Sequence, residues 1–303
     1  MAIYTSNHIG KWHWLKYDGY VVLAEEFSSQ IQRDIQPKKL IMGDGGTHVM
    51  GFNGIENTVS ISSDILLRNS YRDSFKKNNI NDGKIHISEA PMQSSYLYRD
   101  PFDLLITDFD KIKAFIISFN PYNNRTYPAG LNSKNLLTSA TLNITNNVRC
   151  SLNYNCAFEQ FVTIQFADYF PPNYDFLART AKNYDCKFFV TDDPTTTYKV
   201  LSADISISVN YSKIYIANQE SEYPLYSPNG YDVSGSIKTP AKNWYDLKYF
   251  FDSTNGAKKV NFSLLVGNRY LRLGQILVED RIDFSMSEGI MTATISFKGF
   301  ARL

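Results

Sequence analysis

Residues 280–299 read DRIDFSMSEGIMTATISFKG. Ile282, Phe284 and Met286 alternate with Asp283, Ser285 and Ser287. Met291, Ala293, Ile295 and Phe297 then alternate with Thr292, Thr294, Ser296 and Lys298. A period of two over this length places apolar side chains on one face of a strand and polar ones on the other. Ser287-Glu288-Gly289 supplies a short turn, so the pair reads as an antiparallel hairpin. Residues 202–211 repeat the pattern, with Ala203, Ile205, Ile207, Val209 and Tyr211 set against Asp204, Ser206, Ser208 and Asn210. Val260, Phe262, Leu264 and Val266 give another strand, and residues 269–278 one more, broken near Gly274.

The rest of the chain is read outward from this β grammar. A length of 303 residues fits two domains or one large all-β domain. Asp192-Asp193-Pro194 marks the expected boundary, giving a β-rich domain over 1–193 and a second β domain over 194–303. In the first part, residues 20–31, 58–67, 136–145 and 158–170 read as strands. Gly43-Asp44-Gly45-Gly46 and Asn53-Gly54 read as turns, and residues 70–89 and 120–135 as long loops. Residues 102–119 hold one or two strands or a buried helix. Short helices are expected over 175–184 and over 243–253, where Trp244, Leu247, Phe250 and Phe251 share one helical face. Two internal echoes occur. Residues 139–144 resemble 202–207, and Thr58-Val59-Ser60-Ile61 resembles residues 232–237. Duplication and shared strand composition both account for them.

Composition narrows the function classes. Hydrophobic residues are 43% and charged residues 20%, so the chain forms a core. Lys+Arg 31 against Asp+Glu 30 leaves +1, which argues against a global electrostatic grip on nucleic acid or an anionic membrane. No apolar stretch is long enough to span a bilayer as a helix, and residues 1–11 lack the apolar core of an export leader. Without a leader, the Asn-x-Ser/Thr triplets at Asn124, Asn143, Asn210 and Asn261 read as composition. Cys150, Cys156 and Cys186 are an odd number and read as reduced, small buried thiols. His8, His13, His48 and His86 form no metal-ligand spacing with each other or with the cysteines. No cofactor is expected. The glycine run at 43–46 lacks the Gly-Lys-Ser/Thr ending and following helix of a phosphate loop. Asp108 and Asp110 share one face if their segment is a strand, the one carboxylate pair that invites a glycosidase reading.

The C-terminal third carries a family pattern. An alternating strand over 202–211 runs through Tyr223-Pro224-Leu225-Tyr226 into Gly230-Tyr231-Asp232-Val233-Ser234-Gly235-Ser236-Ile237. A short helix and long alternating strands follow. This order resembles the tail-tube proteins of bacteriophages and related contractile injection systems, over residues 202–303. The resemblance implies a mainly β fold: an antiparallel β-barrel or sandwich with a short flanking helix, plus a second β-rich domain with long loops. A plain tube protein is about half this length, so the surplus points to a baseplate relative such as a tube initiator or hub. It implies a non-enzymatic structural role in a homo-oligomeric ring, a hexamer or a trimer with pseudo-six-fold symmetry, located in the virion tail after assembly in the host cytoplasm. Partners would be other tail or baseplate proteins, with DNA or effector as non-specific cargo in the lumen and no membrane contact. Asp283, Ser285, Thr292, Thr294, Ser296 and Lys298 are then candidate lumen-facing or inter-subunit positions. Tyr223, Tyr226 and Tyr231 are candidates for an inter-ring loop.

Two readings from other classes stay open. Tyr-rich loops suit a carbohydrate-binding β-sandwich. The Asp108/Asp110 pair suits a glycan-cleaving enzyme.

Overall fold

The computed structural model describes residues 14–17, 20–22, 24–35, 52–67, 85–88, 98–102, 105, 113–118, 128–163, 180–189, 197–214, 225–241, 259–267, 269–287 and 289–301. The protein is mainly β, and among the described residues its pairings are antiparallel with one parallel exception. In chain order the strands are β1 (Trp14–Tyr17), β2 (Tyr20–Val22), β3 (Glu26–Ile35), β4 (Phe52–Asp64), β5 (Ile85–Ser88), β6 (Tyr98–Arg99), β7 (Lys113–Ser118) and β8 (Pro128–Ile144). They continue as β9 (Val148–Thr163), β10 (Cys186–Phe189), β11 (Tyr198–Lys199), β12 (Ser202–Ile214), β13 (Leu225–Pro240), β14 (Lys259–Val266), β15 (Arg269–Ser287) and β16 (Ile290–Ala301). The parallel exception is β2 with β6. No closed barrel forms among the described residues.

Alternation places the core. In β12, Ala203, Ile205, Ile207 and Val209 are buried while Asp204 and Asn210 are exposed. Leu142, Ile144, Cys150 and Leu152 of the β8–β9 hairpin and Val59 and Ile61 of β4 join the same apolar face. Ala293, Ile295 and Phe297 extend it through β16. The hairpin expected from residues 280–299 is present. Ser287 pairs with Ile290, and Gly289 closes the two-residue link at φ +77°, where a side chain would be strained.

The strand order repeats along the sheet. β3 and β4 form one hairpin, β9 lies next to β4, β8 next to β9, and β7 next to the N-terminal part of β8. In the second half β12 and β13 form one hairpin, β16 lies next to β13, β15 next to β16, and β14 next to the N-terminal part of β15. Each half therefore lays its strands in the same order. The details agree as well. A bulge separates Asp34 from Ile35, opposite Gly54 and Phe52, and a bulge separates Asn210 from Tyr211, opposite Gly230 and Pro228. One constant offset in numbering carries Asp34 to Asn210, Asn53-Gly54 to Asn229-Gly230, and Ser60-Ile61 to Ser236-Ile237. The Thr58–Ile61 echo thus falls on equivalent strands. The other echo does not: residues 139–144 and 203–208 pair with each other across the joint between the halves. That joint continues the sheet across the 193/194 boundary.

Several local expectations change. Asn53-Gly54 is not a turn; it lies inside β4, with Asn53 as the extra residue of the bulge. Bulges draw on the same glycine freedom as tight turns, so the dipeptide alone does not separate the two. Within residues 120–135, expected as a loop, Pro128–Asn135 belongs to β8 and pairs with β7 and β9. Within residues 70–89, also expected as a loop, Ile85–Ser88 is β5, paired to β15. Polar content hid both strands, because long-range pairing outweighs local composition. In 102–119 the C-terminal part is β7, while Phe102 and Leu105 are helical and buried. Of residues 175–184, the described part holds isolated β-bridges at Thr180 and Lys182 and the start of a 3-10 turn at Asn183–Asp185. The helix expected over 243–253 lies outside the described residues.

One buried ion pair pins the two halves together. Arg269, at the start of β15, donates from Nη1 to Asp100 Oδ1 at 3.0 Å and from Nη2 to Asp100 Oδ2 at 3.1 Å. The Arg269 and Asp100 side chains are 6% and 0% exposed. Arg269 Nη2 also donates to Leu66 O at 2.7 Å, and the Leu66 amide donates to Asp100 Oδ2 at 3.0 Å. The guanidinium sits 5.1 Å from the Phe102 ring centre. A bidentate pair with both lone-pair and donor partners supplied is the geometry that offsets the cost of burying charge.

Candidate assembly surface

The face opposite the core is largely polar along the described parts of β4, β8, β9, β12, β13 and β16, with Phe300 and Ile290 as exposed apolar exceptions on β16. It is a lattice of hydroxyls and amides tied across strands. Ser60 Oγ donates to Asn153 Oδ1 at 2.6 Å, and Asn153 Nδ2 donates to Ser139 Oγ at 2.9 Å, linking β4, β9 and β8. Asn143 Nδ2 donates to Asp204 Oδ2 at 3.3 Å, crossing the joint between the halves. Asn210 Nδ2 donates to Asp232 Oδ2 at 2.8 Å. Arg149 binds Ser62 Oγ through Nε at 2.8 Å and Glu25 Oε2 through Nη1 at 2.7 Å.

The candidates on β15 and β16 belong to this face. Asp283, Ser285 and Lys298 are exposed, and Thr294 and Ser296 are partly exposed. Thr292 departs from the rest: it is 8% exposed, its hydroxyl 2.8 Å from Ser285 Oγ. It braces the hairpin and offers no group to solvent. The inter-ring loop expectation is corrected at Tyr231. This residue lies in β13, 2% exposed, because the bulge at Asn229-Gly230 turns it onto the core face. Leu225 and Tyr226 are likewise in β13; Tyr223 lies outside the described residues. So do Asp108, Asp110, Asp192, Asp193, the glycine run at 43–46, and His8, His13 and His48.

The alternation used for β15 and β16 extends to residues not singled out from sequence. Ser60, Ser139 and Asn153 carry the same face, and their signal is the same period of two, less visible in the first half where Asn and Tyr are interspersed.

The sheet ends matter as much as its face. β3 pairs only with β4 among the described residues. β15 pairs with β14 and β5 along residues 269–277, and among the described residues the only strand beside residues 282–287 is β16. Among the described residues, each half thus has one long strand with a single neighbouring strand at that edge. Met286 at 75% and Ile290 at 57% exposure stand at the β15–β16 end. Unpaired, partly apolar edges of this kind are templates for another strand.

The two described cysteine side chains, Cys150 and Cys186, are buried thiols outside any disulfide. Burial, and secondarily the charge of Asp185, pushes the Cys186 thiol from 9.0 up to about 12. The folded value lies above the unfolded one, so the contribution of the neutral thiol is intact below pH 9 and lost as pH rises toward 12. Native protein at pH 8 is expected to resist alkylation at Cys186, with full reaction only in denaturant. Rapid labelling of the native protein at that residue, read by peptide mass, contradicts the burial. Among the described residues no cluster of three His, Cys, Asp or Glu is placed to hold a metal ion. No helix among them is long and apolar enough to cross a membrane.

No family model matches the chain, and no curated protein matches it in sequence.

Proposed function

We propose that this protein is a structural ring component of a phage-like tail, acting in the tube, its initiator or the baseplate hub. The observation that carries this reading is the tandem repeat of one strand arrangement, joined edge to edge, with β3 and residues 282–287 of β15 at edges that have no second neighbouring strand among the described residues. A unit that already joins to its own copy within the chain is suited to join further copies. Three chains with two units each give a pseudo-six-fold ring, which suits the length of about two tube units. The polar face is the lumen wall in this reading. Its hydroxyls and amides, with acids and bases mixed, offer few phosphate grips, so a passing polyanion is not held. Catalysis has no part in the proposal, and partners are further tail or baseplate proteins in the virion.

The test is electron microscopy of purified protein over a concentration series, with native mass on the same sample. Rings with a central hole at three chains are expected. A monodisperse monomer at every concentration would overturn self-assembly.

A further inference from the structure

Resting on the ring reading, we propose that residues 282–287 of β15 in one copy pair antiparallel with β3 of a second copy, in the register that joins β8 to β12 within the chain. The equivalences come from the backbone. The amide of Ile65 donates to Val148 O at 2.7 Å, and that of Ala241 donates to Met291 O at 3.0 Å. The constant offset carries Ile65 to Ala241, so Val148 is equivalent to Met291. Val148 pairs with Ile144, and Met291 pairs with Met286. Met286 therefore stands where Ile144 stands in the first half. The same offset sets Phe27 where Ala203 stands in the second.

Inside the chain, Ala203 faces Ile144, Asp204 faces Asn143, and Ser206 faces Thr141. Transferred to two copies, Phe27 faces Met286, Ser28 faces Ser285, and Gln30 faces Asp283. The transferred register matches chemistry it was not built from. Phe27 and Met286 both lie on the apolar face, where Phe27 already packs against the core and Met286 is 75% exposed. Ser28, Ser285, Gln30 and Asp283 are all exposed and lie on the polar face. A one-residue slip would set Phe27 against Ser285 and break both faces at once. The second copy is the occupant because the edges differ: β15 meets β3, never itself. Such a contact is heterologous, so it repeats around a ring and gives both of these edges a strand partner on closure.

Directly opposed strand residues lie ~5 Å apart at Cα, within disulfide reach. The test mixes two variants, Ser28→Cys and Ser285→Cys, under mild oxidation, with wild type as the control for native cysteines and electron microscopy on each mixture. A band at twice the chain mass in the mixture, absent from either variant alone and from Ser28→Cys mixed with Asp283→Cys, is expected. Rings without that cross-link, or with it only in the slipped pair, overturn the register and leave the ring reading standing. Monomers in microscopy with no cross-link overturn both.

Discussion

Replacing Asp100 with alanine is expected to cost about 3–5 kcal/mol of stability, the range for removing one partner of a buried ion pair. The loss exceeds the worth of the pair itself. Arg269, 6% exposed, keeps a charge that solvent hardly reaches, and its bidentate partner is gone. Leu66 suffers too, because its amide donates to the same carboxylate. A urea titration of the variant should show a lower midpoint with an unchanged slope if the fold opens as one unit. The companion is the double variant Asp100→Leu with Arg269→Met. It removes both charges and keeps apolar volume, so it should recover most of the loss. If the double variant is as unstable as the single one, uncompensated charge is not the cause. Packing around Phe102 would then carry the effect.

Replacing Gly235 with alanine is expected to cost about 3 kcal/mol, at the upper end for overpacking a core. A Cβ there would stand 2.3 Å from the carbonyl oxygen of Asp204 and 3.0 Å from Ile205 Cα. Phe297 Cζ, also at 3.0 Å, can rotate away, but the β12 backbone is held on both sides by β8 and β13. The repeat sharpens the argument. The equivalent position in the first half is Val59, which is fully buried. Across the hairpin, Val59 pairs with Ser29, whereas Gly235 pairs with Ile205. Each half fills one site with one large and one small residue, on opposite strands. Gly289→Ala is the control, since nothing lies within 4 Å of its Cβ and only its φ of +77° is strained. It should cost ~1 kcal/mol. Thermal melts that rank Gly289→Ala as the worse variant would contradict the close approach at Gly235.

Much of this architecture is legible in the sequence. The alternation at 202–211 and over 280–299 marks β12, the end of β15 and β16, their faces, and the turn that Gly289 closes. Polar candidates on β15 and β16 were read from the same period, and all but Thr292 reach solvent at least in part. Tyr231 was misplaced because its neighbours Pro228-Asn229-Gly230 carry the signature of a loop. In the fold they form a bulge, and only the register against Asn210 and Tyr211 separates the two outcomes. Asp100 gave no sequence signal. A carboxylate beside a proline reads as an exposed turn, and its partner is 169 residues away.

By itself, the sequence determined strand identity and face. Side chains on a strand alternate strictly, so a local pattern of apolar and polar residues states which side is buried. The tertiary structure alone decided which strands are neighbours. Pairing joins residues far apart in the chain, and the period of two is the same whichever partner is chosen. That choice set residues 139–144 against β12, repeated the order of strands in both halves, and left β3 and residues 282–287 of β15 with one neighbouring strand each among the described residues.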